Sequence, residues 1–203
     1  MTDAAGELLD FWFGVIADGF AGDAHRKRWF AGGTPFDEEC RVRYGGLAAA
    51  AASGELDDWL DQPRARLAYI LLTDQIPRNI HRGEAQAFAT DAAALNAART
   101  GVEARMDLTL TLDERCFFYM PFEHSESLVD QHTCVGLFTS LRDSTPEGSR
   151  HLTGGYLRYA QQHRDILTRF GRFPHRNAVL GRTSTAEELA FLESGPTFGQ
   201  STQ

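Results

Sequence analysis

Three segments of this 203-residue chain carry more titratable and hydrogen-bonding side chains than a helical scaffold needs. The first runs Thr73-Asp74-Gln75-Ile76-Pro77-Arg78-Asn79-Ile80-His81-Arg82. It follows an apolar stretch directly, so Pro77 is expected to end or kink a helix and gather polar groups at its end. Asp74 and Arg78 are one helical turn apart. They form either a plain local ion pair, or a pair in which Asp74 orients Arg78 and leaves its other donors for an anionic ligand. On the second reading Asp74, Gln75 and Arg78 are ligand-binding residues.

The second segment is Tyr119-Met120-Pro121-Phe122-Glu123-His124-Ser125-Glu126-Ser127-Leu128-Val129-Asp130-Gln131-His132. A helix starting near Glu123 would set Glu123, Ser127 and Asp130 on one stripe and His124, Leu128 and Gln131 on the next. Carboxylates at a helix start suit its dipole and need no further role. An imidazole beside them, however, is hardware for proton transfer near neutral pH. His124 is therefore the candidate acid/base, oriented by Glu123 or Asp130, with Gln131 as a ligand contact. The spacing matches neither H-E-x-x-H nor the E-x-x-H of di-iron bundles, so no metal is expected.

The third segment, residues 163 to 182, holds five arginines and two histidines against the single acid Asp165, in a chain of net charge −8. Arginines near a helix C-terminus complement its dipole. Clustered as they are, Arg169, Arg172, His175, Arg176 and Asn177 also suit a pocket for a carboxylate or phosphate. The acidic total disfavours nucleic acid as a partner.

Other chemistries lack their signatures. The three cysteines, Cys40, Cys116 and Cys134, are odd in number with no CxxC spacing, and read as buried thiols. Ser125 has no G-x-S-x-G elbow, and neither a P-loop nor G-x-G-x-x-G occurs, so no cofactor is expected. No apolar run approaches 18 residues and no signal sequence is visible, which predicts a cytoplasmic protein without a membrane partner.

The elements that must position these residues are helices. At 42% hydrophobic and 24% charged the composition is globular. Apolar spacing and punctuation place helices over Leu8 to Phe13, Asp23 to Phe30, Thr34 to about Gly54, and Pro63 to before Pro77. Further helices are placed at Asp91 to Arg99, Leu112 to Tyr119, Ser125 to Leu141, and His151 to Arg169. A last one starts at Ser184 or Thr185. Thr34 and Thr90 are expected N-caps, Gly101 a stop, Pro121 a breaker, and Gly54 and Gly171 C-caps. Residues 108–112 read as a loop crossing and 172–183 as an ordered loop. The expected fold is all-α, an array of antiparallel helical hairpins, with one domain over 1–195 and a tail over 196–203. Trp12, Phe13, Leu71, Phe117 and Phe138 are expected in its core.

Four motifs carry a resemblance. They are Asp74-Gln75-Ile76-Pro77-Arg78-Asn79, Ala87-Phe88-Ala89-Thr90-Asp91, Tyr119-Met120-Pro121-Phe122-Glu123-His124-Ser125-Glu126, and Arg169-Phe170-Gly171-Arg172-Phe173-Pro174-His175-Arg176-Asn177. With these, from Leu8-Leu9-Asp10-Phe11-Trp12-Phe13-Gly14 to the Ser184-Thr185 cap and Phe191-Leu192, the chain resembles the domain-of-unknown-function 924 family. The resemblance implies a tetratricopeptide-repeat-like helical fold and no particular activity. The residues themselves raise two expectations of function. One is a pocket for a small anionic or zwitterionic molecule with cofactor-free acid/base chemistry at His124, of hydrolase or isomerase type. The other is a helical-repeat interaction module whose groove takes a peptide or protein segment.

Overall fold

The structure, a computed structural model, describes residues 3–31, 33–193 and 195–196. Of the expected tail only Pro196 falls among them. In chain order the helices are α1 Asp3–Phe13, α2 Asp23–Ala31, α3 Thr34–Ala52, α4 Pro63–Ile70 and α5 Ile76–Ile80. They continue as α6 Asp91–Glu103, α7 Leu112–His124, α8 Leu128–Ser144, α9 Arg150–Phe170 and α10 Ala186–Leu192. The fold is all-α. Its one sheet among the described residues is a hairpin of β1 Ile16–Ala17 and β2 Phe20–Ala21, turned by Asp18 and Gly19 at positive φ. No helix among these residues is long and apolar enough to cross a membrane.

A single apolar cluster extends from α1 to α9. Its centre is an aromatic nest in which Trp12, Phe13 and Trp29 each meet the Phe117 ring edge to face, at centroid distances of 5.5, 5.5 and 4.7 Å. Leu71 and Phe138 are fully buried in the same cluster. All three cysteines are buried free thiols. Helices α7 and α8 pack together, as do α8 and α9, across short connections. Successive hairpins of this kind make α7 and α9 parallel to each other. A small second cluster, Ile166, Leu167 and Phe173 with Phe170 and Phe191, seats α10 against the end of α9.

Several boundaries differ from the expected ones. Pro77 does not end its helix: α4 passes through a π-helical turn, Leu71–Gln75, directly into α5. The displaced carbonyls find side chains instead. The Thr90 hydroxyl donates to Thr73 O (2.6 Å), Arg78 Nη1 to Asp74 O (2.8 Å) and Asn79 Nδ2 to Gln75 O (3.0 Å). Thr90 is thus engaged with a neighbouring helix and makes no side-chain cap for α6. Thr34 makes none either, since Gly33 is the cap residue of α3. Helix α6 runs past Gly101, because a bare Cα is needed where Phe118 and Arg66 approach it. Pro121 lies inside α7, whose residues from Cys116 to Glu123 are all buried, so packing outweighs the lost hydrogen bond. Helix α8 starts only after Ser127. Glu123 and His124 therefore close α7 and do not open α8, and the stripe of Glu123, Ser127 and Asp130 does not form.

Candidate functional site

A cavity of about 770 Å³ lies between α5, α7 and α9, with α2 at one end. Each of these helices gives it a stripe at helical spacing. Gln75, Arg78 and Asn79 come from the π-turn and α5, Cys116, Met120 and Glu123 with His124 from α7, and Tyr156, Tyr159 and His163 from α9. Inserting one residue into a helix rotates every later side chain about the axis, and here the π-turn brings Asp74 and Gln75 round to the end of α7.

The centre of the polar wall is Asp74, which is fully buried. Its Oδ1 is 2.8 Å from His124 Nδ1 and 3.2 Å from Arg78 Nη1, and its Oδ2 accepts from Gln75 Nε2 at 2.6 Å. Against the upward pull of burial, Arg78 and His124 hold the Asp74 carboxyl far below the usual carboxylate range. An ionised Asp74 only accepts, so His124 carries its proton on Nδ1 and presents an unprotonated Nε2. Burial and Arg78 push the His124 pKa down, which keeps the ring neutral at pH 7.

Glu123, beside it, faces His163 at 3.4 Å. His163 Nδ1 already stands 2.9 Å from Tyr159 O, and burial holds this imidazole neutral. Burial, with the Asp74 charge nearby, pushes Glu123 up to about 8. The cavity wall thus presents a neutral carboxylic acid next to a neutral imidazole, a donor and an acceptor of protons side by side.

Arg78 is also held by Asp91, with Nη1 and Nη2 at 2.7 and 2.9 Å from its two oxygens. Arg176 reaches the same carboxylate at 3.5 Å and stacks on Phe88 and Phe173 at 4.8 and 4.6 Å. Burial and the Arg78 charge lower Arg176 to about 10, and burial and Arg176 lower His175 to about 3.

The first two sequence segments therefore meet at Asp74 and His124. The third touches the second through His163, which faces Glu123, and through Arg182 and Phe173 N, which donate to Glu126; Arg176 reaches the first by way of Asp91. The remaining candidates are placed elsewhere. Asp130 does not orient His124; its carboxylate accepts from Arg99 and Ser125, both at 2.8 Å. Gln131 closes the end of α7, its Nε2 donating to the carbonyls of Phe122, Glu123 and Ser125. Arg169 pairs with Glu187, and Arg172 forks onto Glu188 at 2.6 and 2.8 Å. Asn177 donates to Ser184 Oγ at 3.0 Å. Among the described residues, no group of three or more His, Cys, Asp or Glu is arranged to hold a metal ion.

Two features of the cavity have no signal in the sequence. Arg82 closes onto Asp37 of α3 through Nε and Nη2, both at 2.8 Å. At the other end Arg26 Nη1 lies 2.6 and 2.8 Å from the two oxygens of the buried Asp113, which also accepts from Ala21 N and, at 2.6 Å, from the Tyr156 hydroxyl. These partners are 43 to 92 residues apart, beyond any local pattern.

Residues 8–196 match the model of a bacterial family of unknown function, DUF924. The chain is also similar to a solved structure from Agrobacterium tumefaciens, the protein of unknown function ATU0120. The two are 38% identical with a TM-score of 0.80, over 94% of this chain and 97% of that one. No curated protein matches the chain. A match over nearly the whole sequence and a shared all-α architecture make this chain a member of the DUF924 family.

Proposed function

We propose that the cavity binds a small molecule and that His124 exchanges a proton with it, as a cofactor-free acid/base enzyme of the isomerase or hydrolase type. The Asp74–His124 pair carries this reading. A buried carboxylate fixes the tautomer of an imidazole that lines a cavity large enough for a metabolite. The neutral Glu123 carboxyl supplies a proton donor beside that base. The arginines on the wall favour an anionic or zwitterionic ligand, although Arg78 is already shared between two carboxylates. Convergence of polar groups on one cavity favours a small molecule over a peptide segment, which would need an open groove.

The test is a thermal-shift screen of small acids, amino acids and neutral polar metabolites on wild type and His124→Gln. Hits are then incubated in D₂O and followed by NMR. The expected result is a compound that stabilises wild type by several degrees and takes up deuterium with wild type but not with the variant. A compound that binds both proteins equally and exchanges no proton would overturn the reading, as would a screen with no hit.

A further inference from the structure

Helix α7 spans the cavity from end to end, and its two ends carry different chemistry. At Asp113 the helix holds Arg26, and at His124 it holds the Asp74-bound imidazole. Eleven residues at 1.5 Å each put these points roughly 16 Å apart along the axis. Helix α9 runs parallel and is tied to α7 at both ends, by Tyr156 to Asp113 (2.6 Å) and by His163 to Glu123 (3.4 Å). Between the ties the lining is mainly apolar, with Cys116 and Met120 from α7, Phe138 from α8 and the Tyr159 ring from α9.

Arg26 is built as an anchor. Its guanidinium carbon lies 5.3 Å from the Phe20 ring centre and 5.5 Å from that of Tyr156. Both of its bonds to Asp113 leave from the single nitrogen Nη1, so Nε and Nη2 are not used by that carboxylate. A guanidinium fixed on one edge and lining a cavity offers its other edge to a second planar anion, at little entropic cost.

The geometry points to a two-pole slot in which Arg26 binds a carboxylate, the apolar lining covers a hydrocarbon body, and the far end of the ligand meets His124. The substrate class is then an elongated monocarboxylate with an apolar middle and a proton-labile group remote from the carboxylate. This rests on the reading of His124 as the reacting group, but the anchor is tested without it.

The probes are straight-chain carboxylates from acetate to octanoate, titrated calorimetrically into the whole protein, with octylamine as the cationic control. Affinity is expected to rise about threefold or more per methylene while the chain stays in the slot, and octylamine is expected not to bind. Arg26→Gln should weaken octanoate at least tenfold, and Arg26→Lys, which leaves a cation beside Asp113 but removes the fork, should do so in part. Because Arg26→Gln leaves Asp113 buried without its cation and can unfold the protein, wild type supplies a second readout. Nuclear Overhauser contacts should join the octanoate methylene next to its carboxylate to the Tyr156 ring, and its terminal methyl to the Met120 methyl. Octanoate that binds both folded variants as tightly as wild type, contacts in the reversed order, or no carboxylate binding at all would each overturn the slot. Octanoate has no labile proton at its far end, so its binding reads the anchor alone; octanoate binding together with no deuterium uptake by any hit of the screen would keep the slot and remove the proton transfer. A deuterium-exchanging substrate held equally well by Arg26→Lys would do the opposite.

Discussion

His124 Nδ1 stands 2.8 Å from Asp74 Oδ1, across fifty residues of sequence and between two different helices. That contact decides which way the imidazole faces and which nitrogen meets the cavity. Asp74 is one of the groups that raise the His124 pKa, against burial and Arg78, which lower it. Removing the charge in Asp74→Asn should drop the His124 pKa further, so the ring stays neutral to lower pH. A ¹⁵N-resolved NMR titration of His124 reads this directly, and an unchanged or raised pKa would contradict it.

Glu123 gives the opposite sign. Burial raises its folded pKa to about 8 from an ordinary value of 4.5, so the folded state holds a proton that the unfolded state has released at neutral pH. Its contribution to stability is fully present below pH 4.5 and is lost as pH rises through about 8. Glu123→Gln removes the titration. Its unfolding free energy relative to wild type should therefore climb between pH 5 and 9, by on the order of a few kcal/mol. Parallel pH profiles in denaturant melts would show that Glu123 does not titrate this way.

The histidines work from the acid side. His124, His163 and His175 all have folded pKa values below the ordinary 6.5, His175 at about 3, chiefly because they are buried. Folding requires them neutral, so stability should fall as pH drops from about 6.5 towards 3. His175→Gln should flatten that fall, which chemical unfolding at pH 4 and pH 7 will measure.

One of the three side chains that serve the carbonyls of the π-turn is a hydroxyl. Thr90 Oγ1 donates to Thr73 O, the carbonyl that Pro77 cannot serve. Thr90→Val should cost about 1 to 3 kcal/mol, the range for a buried polar group left without its partner, and Thr90→Ser should restore most of it. Equal stability of the valine and serine variants would show that the hydroxyl is not what satisfies the turn.

Helices α6 and α7 approach each other closely at Gly101. A Cβ there would lie 2.5 Å from Phe118 Cζ and 2.8 Å from Arg66 Cδ, and Arg66 is pinned by Leu60 O and Ala97 O. Gly101→Ala should destabilise by about 1 to 3 kcal/mol despite the better helix propensity of alanine. A gain in stability would mean that the interface gives way without strain.

Much of the helical framework was legible in the sequence because its signals are local. The Thr185–Glu188 capping box, Pro63 at the start of α4 and Gly171 at φ 70° after α9 act over one turn and stand where expected. The buried aromatics Trp12, Phe13, Phe117 and Phe138 are legible from their type and spacing. Boundaries failed where a distant partner outweighed a local signal. Thr90 left its cap for Thr73, Pro121 stayed in a helix whose whole wall is buried, and Gly101 gave way to a ring from the next helix.

For the site, the sequence by itself determined which chemistry was present: an imidazole, neighbouring carboxylates and a surplus of arginine, set at helix ends by proline and glycine. It did not determine which carboxylate serves which base. Glu123 and Glu126 are the carboxylates nearest His124 in the chain, yet Asp74 holds it, because the π-turn rotates that carboxylate onto the end of α7. Arg169 and Arg172, alike in sequence to Arg176, are taken by the acids of α10, while Arg176 turns inward to Asp91. Partner choice among charged groups depends on burial and on distance in space. Only the packing of α5, α7 and α9 sets those, and the order of residues along the chain does not encode them locally.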